Sequence, residues 1–224
     1  MRFLFVMDPA ATMHPDRDTS FALMRGAIAR GHACLHCLPV ELSHEGREVT
    51  ARCRPIRVQD APPHVNLGDT GRVDVATLDA VFVRKDPPFD VAYLHLTQML
   101  DLVRDRVLVV NAPAGLRDAN EKLFAFHFGH LMPRSLVSAE PELILRFVAG
   151  VGGRAVLKPL DGAGGRGVVI LSVDDRNTRS LVDLLTEEGK QHALVQEYLP
   201  EVRVGDKRVI VLDGAPLGAI LRVP

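Results

Sequence analysis

The sequence predicts an α/β protein, and three observations carry that reading. A strand-helix-strand unit opens the chain, further short apolar strands alternate with helical stretches, and a glycine-rich strand-loop-strand spans residues 155–171. With 224 residues and 47% hydrophobic content the chain can bury a real core, and its length suits one large domain or two small ones.

Arg2 to Met7 is a short apolar strand, and Asp18 is placed as the N-cap of a helix carrying Phe21, Met24 and Ile28 at helical spacing. Gly31 ends that helix, and Cys34 to Leu38 supplies a second strand. A unit of this kind is expected to pair its strands in parallel. The loop from Asp8 to Asp18 then hangs from the C-terminal end of the first strand, where open α/β sheets bind ligands.

Glu48 to Val58 alternates loosely, as in a hairpin, and Asp60 to Gly71 is rich in proline and glycine, so Val40 to Thr77 reads as surface elaboration. Leu78 to Val83 is a clearer strand. The rigid polar loop Arg84-Lys85-Asp86-Pro87-Pro88-Phe89-Asp90 follows it, again at a strand's C-terminal end. Asp90 caps a helix from Val91 to about Asp105. Arg84 and Lys85 could hold a substrate carboxylate or belong to a solvated turn.

Val107 to Asn111 is the next buried strand, and Asp118-Ala119-Asn120-Glu121 resembles a capping box opening a helix through Phe128. Lys122 falls in that first turn, where the helix dipole favours anions. It is either aimed at a phosphate or an ordinary exposed lysine.

Past Arg134-Ser135-Leu136-Val137 a helix runs from about Pro141 to Val148, and another, about Thr178 to Glu188, buries Leu181, Leu184 and Leu185. Ala193 to Gln196 is a strand leading into Glu197-Tyr198-Leu199-Pro200, where exposed backbone groups could pair with an adenine. Lys207 to Leu212 and Leu217 to Leu221 flank Asp213-Gly214, a hairpin whose loop Ala215 and Pro216 lengthen. Arg208 and Arg222 then lie near each other on adjoining strands.

Between the strands Ala155–Lys158 and Val168–Leu171, the loop holds Gly162, Gly164, Gly165 and Gly167. Glycines there leave backbone N–H groups free to turn inward over a polyphosphate, and Lys158 adds a point charge at the base. The run has neither the Gly-Lys-Ser/Thr ending of a Walker loop nor the strand-turn-helix setting of a dinucleotide fingerprint. A strand-loop-strand lid over ATP fits better than either.

A formal net charge of -1, from 27 basic and 28 acidic residues, gives no electrostatic footprint for nucleic acid or an anionic membrane. No apolar run approaches the ~20 residues of a membrane span, and the first apolar run is too short for a signal peptide. Three cysteines suit a reducing, cytoplasmic compartment better than a disulfide framework. Cys34 and Cys37 form a Cys-x-x-Cys pair beside His32 and His36, but residues three apart on a strand face opposite ways and cannot chelate one ion.

Taken together, these residues resemble the bacterial glutathione synthetases of the ATP-grasp superfamily. The resemblance is carried by Val6-Met7-Asp8-Pro9, Asp18-Thr19-Ser20-Phe21-Ala22, the loop Arg84 to Asp90, Leu116-Arg117-Asp118-Ala119-Asn120-Glu121-Lys122-Leu123, Leu157-Lys158-Pro159-Leu160-Asp161-Gly162 and Gly205-Asp206-Lys207-Arg208-Val209. It implies a Rossmann-like N-terminal substrate domain over 1–117. The first ATP-grasp subdomain with its glycine-rich lid would take 118–200, and the start of the second 201–224.

It also implies roles. Lys122 and Lys158 match phosphate-contacting lysines, with Gly162, Gly164 and Gly165 in the mobile lid. Gln196, Glu197, Tyr198 and Leu199 match the adenine hinge, Asp206 faces the nucleotide, and Arg208 and Arg222 lie near the reacting phosphate and carboxylate. Asp18, Ser20, Arg84 and Asp86 fall to the substrate. The implied reaction joins γ-glutamylcysteine to glycine, with ATP and magnesium; a homo-oligomer is left open.

Two departures stand out. The family more often carries a bulkier residue where Ala163 stands and a small one where Arg166 stands. It also continues past the position of Pro224, with acidic and asparagine magnesium ligands in that further segment. The resemblance therefore implies a partial or truncated sequence, with no metal ligand in this chain, an unpaired edge on the second subdomain and no ADP release by this chain alone. Another ATP-grasp carboxylate-amine ligase and a non-catalytic binding module are the competing readings.

Overall fold

The computed structural model describes residues 1–162 and 164–223; Ala163, the second position of the lid, and Pro224 lie outside them. The chain divides into two compact units, Met1–Phe124 and Ala125–Pro224.

In the first unit, strands β1 (Arg2–Met7), β2 (Ala33–Cys37), β3 (Leu42–Glu45), β4 (Glu48–Val58), β5 (Val65–Leu67), β6 (Gly71–Asp74), β7 (Ala80–Arg84) and β8 (Leu108–Val110) form one mixed sheet. Its order is β3-β4-β2-β1-β7-β8, with β5 and β6 paired to β4. β1 runs parallel to both β2 and β7, and β7 parallel to β8, as the opening strand-helix-strand unit requires.

Period-two alternation sends the two faces of these strands into separate cores. Leu4, Val6, Leu35, Cys37, Val81 and Val83 pack with Tyr93, Leu96 and Leu100 of α2 (Val91–Asp101). Phe5, Met7 and Cys34 pack on the other side with Phe21 and Met24 of α1 (Thr19–Ala29). Both helices have aspartate caps: Asp18 accepts from the Ser20 amide and Asp90 from the Tyr93 amide. Gly31, at φ +76°, follows the end of α1.

The segment read as surface elaboration is instead a structural strand. β4 is a single strand of 11 residues rather than a hairpin. Its first half buries Val49, Ala51 and Cys53 on the α2 side, and its second half buries Ile56 and Val58 on the α1 side. The switch of buried face between Cys53 and Ile56 breaks the alternation that a sequence reading depends on.

The helix read from a capping box at Asp118 is not there. Pro113, preorganised for a first helical position, starts α3 (Pro113–Asp118) earlier. The Asn120 side chain then accepts the amides of Lys122 and Leu123, a local bond that competes with helix. A 3-10 stretch, Phe124–Leu131, follows with a break at Phe128. α2 likewise stops at Asp101 rather than near Asp105.

The second unit is built on a four-stranded antiparallel sheet of order β11-β10-β12-β9, from β9 (Ser135–Ser138), β10 (Arg154–Pro159), β11 (Val169–Ser172) and β12 (Ala193–Glu197). One face is covered by α4 (Pro141–Gly150) and α5 (Thr178–Leu185), which enclose Ile144, Val148 and Val182 with Ala155, Leu157, Leu171 and Val195. Leu181 and Leu185 pack at the edge of this core, but Leu184, which helical spacing places on the side of α5 away from buried Val182, is 74% exposed.

β13 (Asp206–Leu212) and β14 (Ala215–Arg222) form a separate hairpin. Asp213 and Gly214 both adopt positive φ, and Ala215 and Pro216, expected to lengthen the loop, instead pair with Leu212 and Val211, so the turn has two residues; a register shift between Ile210 and Val211 leaves Leu217 outside the pairing. Among the described residues no helix is long and apolar enough to cross a membrane.

Candidate functional site

Two groups of side chains stand out, one in each unit. In the second unit, β10 and β12 present Val156, Lys158 and Gln196 on the sheet face opposite α4 and α5, and β11 adds Ile170. That face opens into a cleft of about 470 Å³ lined by Lys158, Gln196, Glu197, Tyr198, Leu199 and the apolar side chains of Val156, Val168, Ile170 and Val202. Five residues named from the sequence therefore share one cleft. Its walls suit a flat apolar group, and the ammonium group suits an anion.

The polar lining is ordered. Lys158 Nζ donates to Gln196 Oε1 at 2.6 Å, Gln196 Nε2 donates to Ser135 Oγ at 2.8 Å, and Ser135 Oγ donates to the Pro133 carbonyl at 2.7 Å. The Arg154 guanidinium lies 4.5 Å from the centre of the Tyr198 ring and holds it from one side. The Glu197 amide donates to the Arg134 carbonyl, extending the β9–β12 ladder up to the hinge.

The loop over residues 160–168 connects β10 to β11, whose strands pair antiparallel from Arg154↔Ser172 to Leu157↔Val169. Gly164 and Gly165 both have positive φ, at +62° and +79°. A Cβ on Gly162 would come within 2.8 Å of Pro159 Cγ and 3.0 Å of the Arg166 carbonyl oxygen, so the loop closes on its own base only without a side chain there.

On the hairpin, Asp206 pairs with Arg222 and Arg208 with Ile220, which puts Asp206, Arg208 and Arg222 on one face. Arg222 Nε donates to Asp206 Oδ2 at 2.9 Å, and both side chains are about half exposed. In the first unit Lys122 is 14% exposed, with Nζ 2.9 Å from Glu121 Oε1.

The first unit gathers its own group at the C-terminal ends of β1 and β7. The chain leaves β1 toward β2 on one side and returns to β7 on the other, so this is the switch point at which open α/β sheets bind ligands. Ser20 donates its amide to Asp18 Oδ1 at 2.7 Å and accepts Arg84 Nε at 3.0 Å on its hydroxyl. The Asp86 amide donates to Asp8 Oδ2 at 2.7 Å. Asp18, Ser20 and Arg84 are thus linked in one row, Asp86 is tied by its backbone to Asp8, and among the described residues no ion pair engages Arg84.

Asp8, Tyr93 and His36 complete this group and were not singled out from the sequence. Burial pushes the Tyr93 phenol above its ordinary range; the charges of Asp8 and Asp86 add to that, and Arg84 opposes it. His36 Nε2 lies 3.1 Å from the Asp8 carbonyl oxygen. The position of Asp8, directly after the first parallel strand, was the available signal.

Cys34 and Cys37 face opposite cores, and burial raises their thiols to about 11 and about 12. Among the described residues no group of three or more His, Cys, Asp and Glu side chains is arranged to hold a metal ion.

Comparison with known proteins bears on both groups. Residues 1–117 match the family described as prokaryotic glutathione synthetase, N-terminal domain, and residues 121–224 match its ATP-grasp domain. The glutathione synthetase of Gloeobacter violaceus is 41% identical over 100% of this chain and 71% of its own length. That of Synechococcus elongatus is 41% identical over 100% and 72%. That of Rhodopseudomonas palustris is 42% identical over 97% and 70%.

Two crystal structures share the ATP-grasp fold. A RimK-domain ATP-grasp protein from Sphaerobacter thermophilus has a TM-score of 0.63 at 19% identity, covering 100% of this chain and 73% of its own. D-cycloserine synthetase has a TM-score of 0.63 at 17% identity, covering 99% and 68%.

Proposed function

The chain belongs to the prokaryotic glutathione synthetase family, and we propose that it performs that family's ATP-dependent ligation of γ-glutamylcysteine to glycine. The single observation that carries the assignment into the structure is the cleft of the second unit, where Lys158 sits at the base of the glycine loop among apolar walls. We assign 1–117 to the substrate domain, 118–200 to the first nucleotide subdomain and 201–224 to the start of the second.

ATP is the phosphoryl donor. Val156, Ile170, Tyr198 and Leu199 form the slot for its adenine, and Glu197 to Leu199 supply the backbone edge beside it. Lys158 and Lys122 neutralise phosphate charge, and the loop carrying Gly162, Gly164 and Gly165 folds over the phosphates with its amides inward. Asp206 faces the nucleotide and orients Arg222, to which it is bonded.

Asp18, Ser20, Arg84 and Asp86 bind the dipeptide. The free guanidinium edge of Arg84 takes a carboxylate while Ser20 fixes its orientation. A cysteinyl carboxylate oxygen attacks the γ-phosphorus, the bond to the bridging oxygen breaks, and ADP leaves. The glycine amine then attacks the acyl carbon, phosphate departs with the electron pair, and the amine loses its proton. Arg208 and Arg222 offset the charge that builds on the transferred group, so positioning and electrostatics carry the catalysis.

Magnesium belongs to this proposal as the ion that accompanies the nucleotide. Among the described residues no group of three or more His, Cys, Asp and Glu side chains converges on a place for it. Cytoplasmic residence is part of the same proposal, supported by three free, buried cysteines.

The test is substrate choice. Given ATP and magnesium, the complete gene product is expected to release ADP only when γ-glutamylcysteine and glycine are both present, and to form their tripeptide. ADP release with other acid-amine pairs and not with this one would assign it to another carboxylate-amine ligase.

A further inference from the structure

We propose that Ser135 is a positioning residue for Lys158, acting through the side-chain amide of Gln196. The inference rests on the reading of the cleft as a nucleotide site and adds a residue that touches no ligand. Ser135 and Gln196 are direct cross-strand partners on β9 and β12, and Lys158 is the diagonal neighbour of Gln196 on β10. All three side chains emerge on the same sheet face.

Donor and acceptor chemistry gives this row a single direction. An ammonium has donors only, so the oxygen of the Gln196 amide must face Lys158. The amide nitrogen is thereby turned toward Ser135, whose hydroxyl accepts from it at 2.8 Å and passes its own hydrogen to the Pro133 carbonyl at 2.7 Å. The Pro133 end is fixed because a carbonyl can only accept. Each bond therefore sets the polarity of the next, and the serine hydroxyl is the one member able to accept from the amide while donating to the backbone.

Without that hydroxyl the Gln196 amide loses the acceptor that fixes its rotation. Its NH2 group can then turn toward Lys158, where it repels the ammonium, and Lys158 no longer waits in one place for a phosphate. The same bonds hold Pro133 and Gln196, both lining residues, in register across the cleft.

The experiment compares two isosteric variants, Ser135→Val and Ser135→Thr, which differ only in the hydroxyl and both suit a β-strand. Binding of ADP and of γ-glutamylcysteine is measured by calorimetry on the chain, its Lys158→Ala variant and both Ser135 variants, with thermal melting recorded for each. The Val variant is expected to bind ADP about fivefold more weakly, equivalent to about 1 kcal/mol. The Thr variant is expected to stay within about twofold of the parent. Dipeptide affinity is expected to be the same in both.

Equal ADP affinity in the Val and Thr variants overturns the proposal, whatever happens to their melting temperatures, and leaves the nucleotide reading intact if Lys158→Ala still weakens ADP. If Lys158→Ala leaves ADP affinity unchanged, the nucleotide reading fails and this inference falls with it.

Discussion

Replacing Lys158 with alanine is expected to weaken ATP binding by about tenfold to a hundredfold, the range that follows from losing one hydrogen bond to a charged phosphate. The fold is expected to survive. Lys158 lies on the open face of the sheet, while the core on the other face depends on Leu157, Ala155 and Leu171. The Lys158 ammonium donates to the Gln196 side chain, so its removal also leaves the Gln196 oxygen facing an open cleft, where water can replace the lost donor. Calorimetry with a non-hydrolysable ATP analogue, paired with melting curves, separates the two effects. Unchanged affinity with an unchanged melting temperature would remove Lys158 from the nucleotide site.

Arg84→Ala is expected to weaken γ-glutamylcysteine binding by at least about tenfold while leaving nucleotide affinity alone. Arg84, at the C-terminal end of β7 beside β1, gives its Nε to Ser20, and among the described residues no carboxylate forms an ion pair with its guanidinium, which leaves the terminal nitrogens for a substrate carboxylate. Arg84→Lys is expected to recover little, since an ammonium cannot bond Ser20 and grip a carboxylate bidentately from one fixed plane. A loss of ATP affinity in Arg84→Ala, with the dipeptide unaffected, would reverse the assignment of the two groups.

These paired expectations reflect what the sequence made legible. The parallel strands and their aspartate-capped helices could be read because each element states its own period and its own start. Lys158 and the glycines were legible for the same local reason: a strand, a glycine run and a second strand follow one another without interruption. The cleft lining from Gln196 to Leu199 followed from its place at the end of a buried strand.

What escaped was not written locally. β4 buries odd-numbered residues in one half and even-numbered residues in the other, because different elements cover its two ends, so no single period runs through Glu48–Val58. The start of α3 at Pro113 was hidden by a better-looking capping box at Asp118, which Asn120 defeats by bonding its own neighbours' amides. Ser135 matters only through Gln196, 61 residues away, and such a pairing exists only once β9 and β12 are side by side. Asp8 was visible as a residue, but its bond to the Asp86 amide depends on β7 returning beside β1.

The central claim is that the open face of the second unit's sheet, around Lys158, holds the nucleotide. Photolabelling the chain with 8-azido-ATP and mapping the modified peptides tests it most directly. The account predicts label in the cleft-lining segments around Val156, Ile170 and 196–202, saturable and displaced by unlabelled ATP. Saturable label confined to peptides outside that cleft, with these segments unmodified, would contradict it.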